Sequence, residues 1–337
     1  MFTKSFKNIS KKDISIAGGK GASLGEMTLQ FCSGQAQQKC PVPPGFVILV
    51  EAFDKFLEET DLVVEIASQV KKINYKDIKS VDEASKVIRD LIHDTPMPQN
   101  LEKEFLKEFR KLKTKYVAVR SSATAEDSLI ASWAGELETY LNTSSSNLIE
   151  NIKKCWSSLF TPRALFYAFE KGVVTQAGQK KIRAKTCKKL VHCYPVGVAV
   201  VVQKMVQSEI SGICFTVHPV TQDTNQMVIE TGWGLGEAIV GGKITPDTHI
   251  ISKKDWSILD ANISQQEMMI IRQGSGVKEA PVPKARQEKQ KLANEKIIEL
   301  AKLCQEIEEH YAKPQDIEFA IENNKIYITQ SRPITTL

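Results

Sequence analysis

The chain ends in two short segments of alternating residues that restrict its fold more than any other part of the sequence. Asp316 and Glu318 alternate with apolar residues, and a second run, 325–329, leads into Gln330 and Arg332. Successive side chains of a β-strand point to opposite faces, so two adjacent strands would place these four polar groups on one face. Such a set suits Mg²⁺ and polyphosphate, because Mg²⁺ takes oxygen ligands and arginine forks onto phosphate oxygens. An exposed, charged two-stranded meander is the alternative that this segment alone leaves open.

The composition is that of a globular chain of enzyme size. Its 337 residues are 42% hydrophobic and 25% charged, which favours two lobes over one core. A net charge of +5 suits an anionic small ligand but is too small and too evenly spread for a nucleic-acid surface. No apolar run reaches the about 18 residues of a membrane span, and the first residues lack the apolar segment of a secretory signal. Seven scattered cysteines without a CxxC pair indicate reduced thiols, so we expect a cytoplasmic protein without a nucleic-acid or membrane partner.

A glycine-rich segment, 16–27, is predicted to run from a short strand into a helix, with Lys20 in the turn. Backbone amides at such a turn point outward and attract anions, which makes Lys20 a candidate phosphate ligand. The GxxxxGK[ST] pattern of a P-loop is absent. A glycine turn with a solvated lysine is therefore the alternative.

A second candidate follows a short apolar strand, 116–119, which ends in Arg120 and a hydroxyl-rich turn. Open α/β sheets bind ligands at the carboxyl ends of their strands, so Arg120 is placed to meet an anion. In the small-residue segment that follows, Gly135 and Thr139 could lay an amide and a hydroxyl over phosphates. A hairpin with a capping threonine is the other interpretation.

Further along, a continuous apolar strand, 196–202, leads into Gln203 and Met205. A buried strand that ends in alternating polar and apolar residues is typical of a hinge that faces an adenine base, and we expect both residues there. Strands are also predicted near 211–218 and 227–233.

Helices account for much of the rest. Residues 52–109 are predicted to be helical with a break at Thr95–Pro98, residues 148–172 form a helix pair, and a helix over 292–311 precedes the final strands. The basic segment Lys180–Lys189 is either a solvated surface or a docking site for an acidic partner.

Seven ordered motifs together resemble the nucleotide-binding region of the phosphoenolpyruvate synthase / pyruvate phosphate dikinase family, to which rifampin phosphotransferase is closely related. The resemblance implies an α+β, ATP-grasp-like fold with two lobes, residues 1–194 and 195–337, that clamp a nucleotide. The motifs are GGKGASLGEM (18–27), VPPGFVI (42–48), AVRSSATAEDS (118–128), SWAGELETYLN (132–142), QKMV (203–206), GWGLGEAIVGGKITPD (232–247), and PQDIEFAI with ITQSRP (314–321 and 328–333).

The same resemblance assigns roles residue by residue. It implies three catalytic, phosphate-binding cations and a metal site built from one carboxylate and one amide, with the remaining residues around ATP. The assigned residues are Lys20, Arg120 and Arg332 at the phosphates, Gly135 and Thr139 in the loop over them, Gln203 and Met205 at the adenine, Glu318 and Gln330 at Mg²⁺, and Asp316 in support of them.

The activity implied is that of a dikinase, which moves the β-phosphoryl group of ATP to a histidine with release of AMP and phosphate. The Thr-Gly-Gly…Cys-His-Ala type motif that carries this histidine is not among the 337 residues, so we expect a phosphohistidine-carrying domain or subunit as the partner. A non-catalytic ATP-binding regulatory module is one alternative, and the ATP domain of a rifampin-type antibiotic phosphotransferase is another. The final phosphate acceptor is left open.

Overall fold

A computed structural model describes residues 1–32, 41–124, 138–170 and 197–334, together with the backbone of residues 127–128 and 131–132. Gly135 and the basic segment 180–189 lie outside the described residues. The chain divides into two compact units. Unit 1 comprises Met1–Glu26 and Pro44–Lys204, and unit 2 comprises Met27–Pro43 and Met205–Leu337.

Helices and strands alternate irregularly along the chain, which confirms the α+β class. Up to Lys204 they are β1 (Thr3–Ser5), α1 (Ile14–Phe31), β2 (Gly45–Ile48), α2 (Val50–Glu59), α3 (Leu62–Lys72), α4 (Ile78–Asp94), α5 (Gln99–Lys111), β3 (Val117–Ala123), β4 (Asp127–Ser128), β5 (Ala131–Ser132), β6 (Thr139–Thr143), α6 (Leu148–Ser157), α7 (Pro162–Glu170) and β7 (Val198–Lys204). From Met205 they are β8 (Ile210–Phe215), β9 (Gln226–Trp233), α8 (Glu237–Val240), β10 (Asp247–Ser252), β11 (Ile258–Asn262), β12 (Met268–Gln273), β13 (Gly276–Pro281), α9 (Lys284–Gln287), α10 (Asn294–Tyr311), β14 (Gln315–Glu322) and β15 (Lys325–Pro333).

Unit 1 is built on a five-stranded antiparallel sheet in the order β1-β2-β7-β3-β6. Helices α2 to α7 cover one face around Trp156, whose ring lies 5.1 Å from that of Phe53 and 5.3 Å from that of Phe56. Burial of such large aromatic side chains dominates the stability of a core. The sheet includes β7, which the sequence prediction assigned to the second lobe; strand pairing between distant segments decides its place.

The helical region before β3 is confirmed with more breaks than predicted. The break at Thr95–Pro98 separates α4 from α5, as expected from its prolines. Two further breaks divide the preceding segment into α2, α3 and α4, and the Asp77 side chain caps α4 by accepting a hydrogen bond from the Lys79 amide at 3.1 Å.

The short strand predicted before the glycine-rich turn is wrong, because residues 14–31 form α1. Gly18 interrupts that helix with φ 68° and ψ 174°. A Cβ at this position would lie 2.2 Å from the carbonyl oxygen of Ser122 on β3, so the close contact between helix and sheet needs a glycine.

Unit 2 is built on a six-stranded antiparallel sheet in the order β11-β10-β9-β8-β14-β15. Helix α10 lies against β9 and β14 and buries an apolar stripe with helical spacing on this face. Strands β12 and β13 form a separate hairpin. Buried and less buried positions alternate from Gln315 to Phe319 on β14, so Asp316 and Glu318 share the less buried face.

Among the described cysteines, Cys32 departs from the sequence prediction. Cys155, Cys214 and Cys304 are free and buried, as expected for reduced thiols. Cys32 is disulfide-bonded, which corrects the expectation that the thiols are reduced. Within the described residues, none of the helices combines the length and the apolar character needed to cross a bilayer.

Candidate functional site

The polar residues at the carboxyl end share one face of the unit 2 sheet. Strands β14 and β15 pair antiparallel, with Asp316 opposite Arg332 and Glu318 opposite Gln330. Directly opposed residues in an antiparallel pair point to the same face, and this is the face away from α10. The structure thus brings together the four side chains that the alternating pattern predicted.

Arg332 and Asp316 form an ion pair on this face. The Nε and Nη2 atoms of Arg332 donate to Oδ2 of Asp316 at 2.9 and 2.8 Å. Burial raises the pKa of Asp316, the Arg332 guanidinium opposes that rise, and Glu318 adds to it. Arg332 therefore neutralises Asp316 here, and its 37% exposed side chain also remains accessible to an anion.

A third carboxylate, Glu230, lies on the same face and was missed from the sequence. On the neighbouring strands Glu230 is opposite Ile213, and Ile213 is opposite Glu318, so the row continues to Gln330 across four strands. Burial and the charge of Asp316 raise the pKa of Glu230. The sequence signal for Glu230 was a single acidic residue after the apolar run 227–229. The strand order that puts Glu230 in the row with Glu318 could not be predicted from the sequence.

Unit 1 presents cations on the sheet face opposite its helical core. Arg120, on β3, is 7% exposed and opposes Thr139 on β6 and Val201 on β7. Helix α1 lies over the same face, because Ser122, two residues further along β3, donates from Oγ to the Ala17 carbonyl at 2.9 Å and accepts from the Gly21 amide at 3.1 Å. The residue before Gly21 is Lys20, so two of the three predicted phosphate-binding cations, Lys20 and Arg120, belong to this side of unit 1.

The remaining predicted ligands are distributed as follows. Thr139 is exposed opposite Arg120, and Gln203 is 2% exposed on β7, opposite Ala118 and therefore on the same face. Met205 is half-buried directly after β7 and belongs to unit 2. Gly135 lies outside the described residues, so its predicted role stays a prediction.

The donor set on unit 2 fits Mg²⁺ held together with a polyphosphate. Among the described residues there is no group of three or more His, Cys, Asp and Glu side chains that could hold a metal ion alone. Mg²⁺ is commonly held by one or two carboxylates together with substrate phosphates. Glu318 and Gln330 supply one carboxylate and one amide oxygen at opposed positions, and both are partly or fully buried.

Comparison with known proteins gives a match over almost the whole chain. Residues 14–337 match the family described as "Pyruvate phosphate dikinase, AMP/ATP-binding domain". A probable phosphoenolpyruvate synthase of Methanocaldococcus jannaschii is 42% identical over 98% of this chain and 26% of its own length. A probable phosphoenolpyruvate synthase of Archaeoglobus fulgidus is 41% identical over 98% of this chain and 41% of its own length. The phosphoenolpyruvate synthase of Pyrococcus furiosus is 37% identical over all of this chain and 44% of its own length.

These matches confirm the resemblance inferred from the seven motifs. The chain spans between a quarter and half of the length of these three relatives. It belongs to the AMP/ATP-binding domain family of pyruvate phosphate dikinase.

Proposed function

We propose that this member of the pyruvate phosphate dikinase AMP/ATP-binding family binds ATP with Mg²⁺ and transfers the β-phosphoryl group to a histidine on a separate domain or chain. AMP and phosphate leave, and one water molecule is consumed in the release of phosphate. The observation that carries the proposal is the pairing of β14 with β15, which puts Glu318 opposite Gln330 and Asp316 opposite Arg332. Family membership and the cationic face of unit 1 support it.

Each residue has a physical task in this proposal. Glu318 and Gln330 would hold Mg²⁺, which supplies positive charge to the polyphosphate when bound. Lys20, Arg120 and Arg332 stabilise the negative charge of the transferred group, because phosphoryl transfer depends mainly on positioning and electrostatics. Thr139 and Gly135 would cover the phosphates, while Gln203 and Met205 would contact the adenine.

The fold, the final acceptor and the partner are inferred from the family. We propose an ATP-grasp-like fold of two lobes, with β7 in the first lobe rather than in residues 195–337, because β7 pairs with β2 and β3. The relatives named phosphoenolpyruvate synthase favour pyruvate over an antibiotic as the final acceptor. We propose a phosphohistidine-carrying domain or subunit as the partner. A regulatory module that only binds ATP would have no need of a full set of metal-binding and phosphate-binding residues, so we favour chemistry over sensing.

Binding of ATP·Mg²⁺ is expected to stabilise the chain. At a concentration of about 100 Kd a ligand that binds only the folded state adds about 2.7 kcal/mol to the free energy of unfolding. Thermal unfolding followed with and without several millimolar ATP·Mg²⁺ measures the shift, with Mg²⁺ alone as the control for an effect of the cation. An unchanged melting temperature at that concentration would contradict the proposal.

Arg332→Lys is expected to slow phosphoryl transfer. Arginine can contact two phosphate oxygens at once, whereas an ammonium group is a point charge on a flexible stem. Loss of one charge-assisted hydrogen bond should lower the rate about tenfold to a hundredfold. AMP release is measured with a phosphohistidine-domain partner, and Arg272→Lys, an exposed arginine on β12, is the control. If Arg332 only neutralises Asp316, lysine will replace it with little loss.

A further inference from the structure

Glu138, which precedes β6, is held through both its side chain and its backbone. Its Oε1 accepts a hydrogen bond from Nη2 of Arg89 at 3.3 Å, and its Oε2 accepts from the hydroxyl of Tyr140. Its carbonyl oxygen accepts from the amide of Ser121 at 3.1 Å and from the hydroxyl of Ser121 at 3.0 Å. Residue 138 is therefore fixed against β3 and against Arg89 of α4 together.

Partial burial strengthens the ion pair between Arg89 and Glu138. The two side chains are 32% and 30% exposed, less than in a typical surface pair. Burial raises the pKa of Glu138, and the positive charges of Arg89 and Lys154 oppose the rise. Removal of Arg89 would leave a partly desolvated carboxylate without its nearest guanidinium, and the chain near residue 138 would shift to find water or another donor.

The two sides of β6 connect this ion pair to the candidate phosphate ligands. Side chains alternate along an extended strand, so Glu138 and Tyr140 point towards the helices while Thr139 points to the opposite face. On that face Thr139 is opposite Arg120. A shift at Glu138 must therefore move the backbone of Thr139 relative to Arg120.

The Glu138 carbonyl also has a buried thiol, that of Cys155, as a neighbour. The Cys155 thiol, on α6, donates to the Glu138 carbonyl at 3.9 Å. Burial raises the pKa of this thiol, the charge of Glu138 raises it further, and the charge of Lys20 lowers it. The charges of Glu138 and of Lys20, a predicted phosphate ligand, thus both act on the Cys155 thiol.

We propose that Arg89 and Glu138 are positioning residues through which helix α4 holds Thr139 against Arg120 for phosphate binding. The inference rests on the proposed function and adds two residues that the family motifs did not assign. Helix α4 then does more than complete the core of unit 1. Among the described residues, its only ion pair with the segment at the start of β6 is the one that Arg89 makes with Glu138.

The test compares affinities for ATP·Mg²⁺ and for adenosine, which lacks phosphates, in the full chain. Titration calorimetry gives Kd for ATP·Mg²⁺, and competition against a fluorescent ATP analogue gives Kd for adenosine. The variants are Arg89→Met, Glu138→Gln and the conservative Arg89→Lys. Arg110→Met, an exposed arginine on α5, is the matched control.

We expect Arg89→Met and Glu138→Gln each to weaken ATP·Mg²⁺ binding about tenfold, because small displacements of positioned groups are costly, while adenosine binding is unchanged. Arg89→Lys should restore most of the affinity, since the contact is a single one. A long-range charge effect predicts the opposite sign for the two residues: loss of Arg89 would weaken ATP binding, and loss of the Glu138 charge would strengthen it.

Three results would overturn the inference. Opposite signs for Arg89→Met and Glu138→Gln would show a charge effect without positioning. Equal losses for ATP and adenosine, with a lower melting temperature, would show a purely structural pair. Unchanged ATP affinity in both variants would show that the pair does not serve the phosphates. Failure of the unmodified chain to bind ATP·Mg²⁺ is a separate result that would overturn the proposed function itself and this inference with it.

Discussion

Lys291→Met is expected to destabilise unit 2 by about 3–5 kcal/mol, because it leaves a buried carboxylate without its counter-ion. Lys291 Nζ lies 2.6 Å from Oδ1 of Asp247, and neither side chain is exposed at all. The Lys291 amide also donates to Oδ2 of Asp247 at 2.8 Å, and the Ser264 amide donates to Oδ1 at 2.9 Å. The lysine ammonium in addition donates to the Ser264 carbonyl.

Urea denaturation at neutral pH measures the change. Lys243→Met is the matched control, since Lys243 lies 3.0 Å from Glu279 with side chains 44% and 60% exposed. A surface pair of that kind contributes at most about 1 kcal/mol. The double variant Asp247→Asn/Lys291→Met should regain part of the loss, because the buried charge is gone. Equal effects of Lys291→Met and Lys243→Met would refute the expectation.

Glu318→Ala is expected to abolish Mg²⁺-dependent phosphoryl transfer, with a loss of about a hundredfold or more, while metal-free nucleotide binding is largely kept. The carboxylate is the charged member of the opposed pair with Gln330. Gln330→Ala should act in the same direction but less strongly, because a neutral amide contributes less charge to the site.

AMP and phosphate release with a phosphohistidine-domain partner, titrated with Mg²⁺, gives the rates. ATP binding in the presence of a chelator gives the metal-free affinity. Glu322→Ala, at the far end of β14, is the control for loss of an acidic residue from the same strand. Rates like those of the parent chain in both Glu318→Ala and Gln330→Ala would show that the proposed metal ligands lie elsewhere.

Local patterns predicted much of this molecule. The period of two in 316–318 and 330–332 was enough to place four polar side chains on one face, because alternation is a property of each strand by itself. The prolines at 96 and 98 marked the end of α4 for an equally local reason. The glycine-rich segment 16–27 was a partial exception: it was predicted to run from a short strand into a helix, and the helix is present, but the strand is not, because residues 14–31 form a helix interrupted at Gly18.

Contacts between distant segments were beyond the reach of such patterns. Asp247 closes the longest glycine-rich motif and could have passed for a ligand; the fold buries it against Lys291, 44 residues later. Arg89 and Glu138 are 49 residues apart and meet because α4 packs near the start of β6.

The sequence by itself determined the α+β class, most of the helices and strands, the family, and the polar face of β14 and β15, because each depends on residue order within a short segment. Only the tertiary structure decided that β7 pairs between β2 and β3, that Glu230 joins the row of Glu318 and Gln330, and that Asp247 has a buried partner. The physical reason is that strand order and helix packing are fixed by burial of the whole apolar surface of each unit, which no short segment contains.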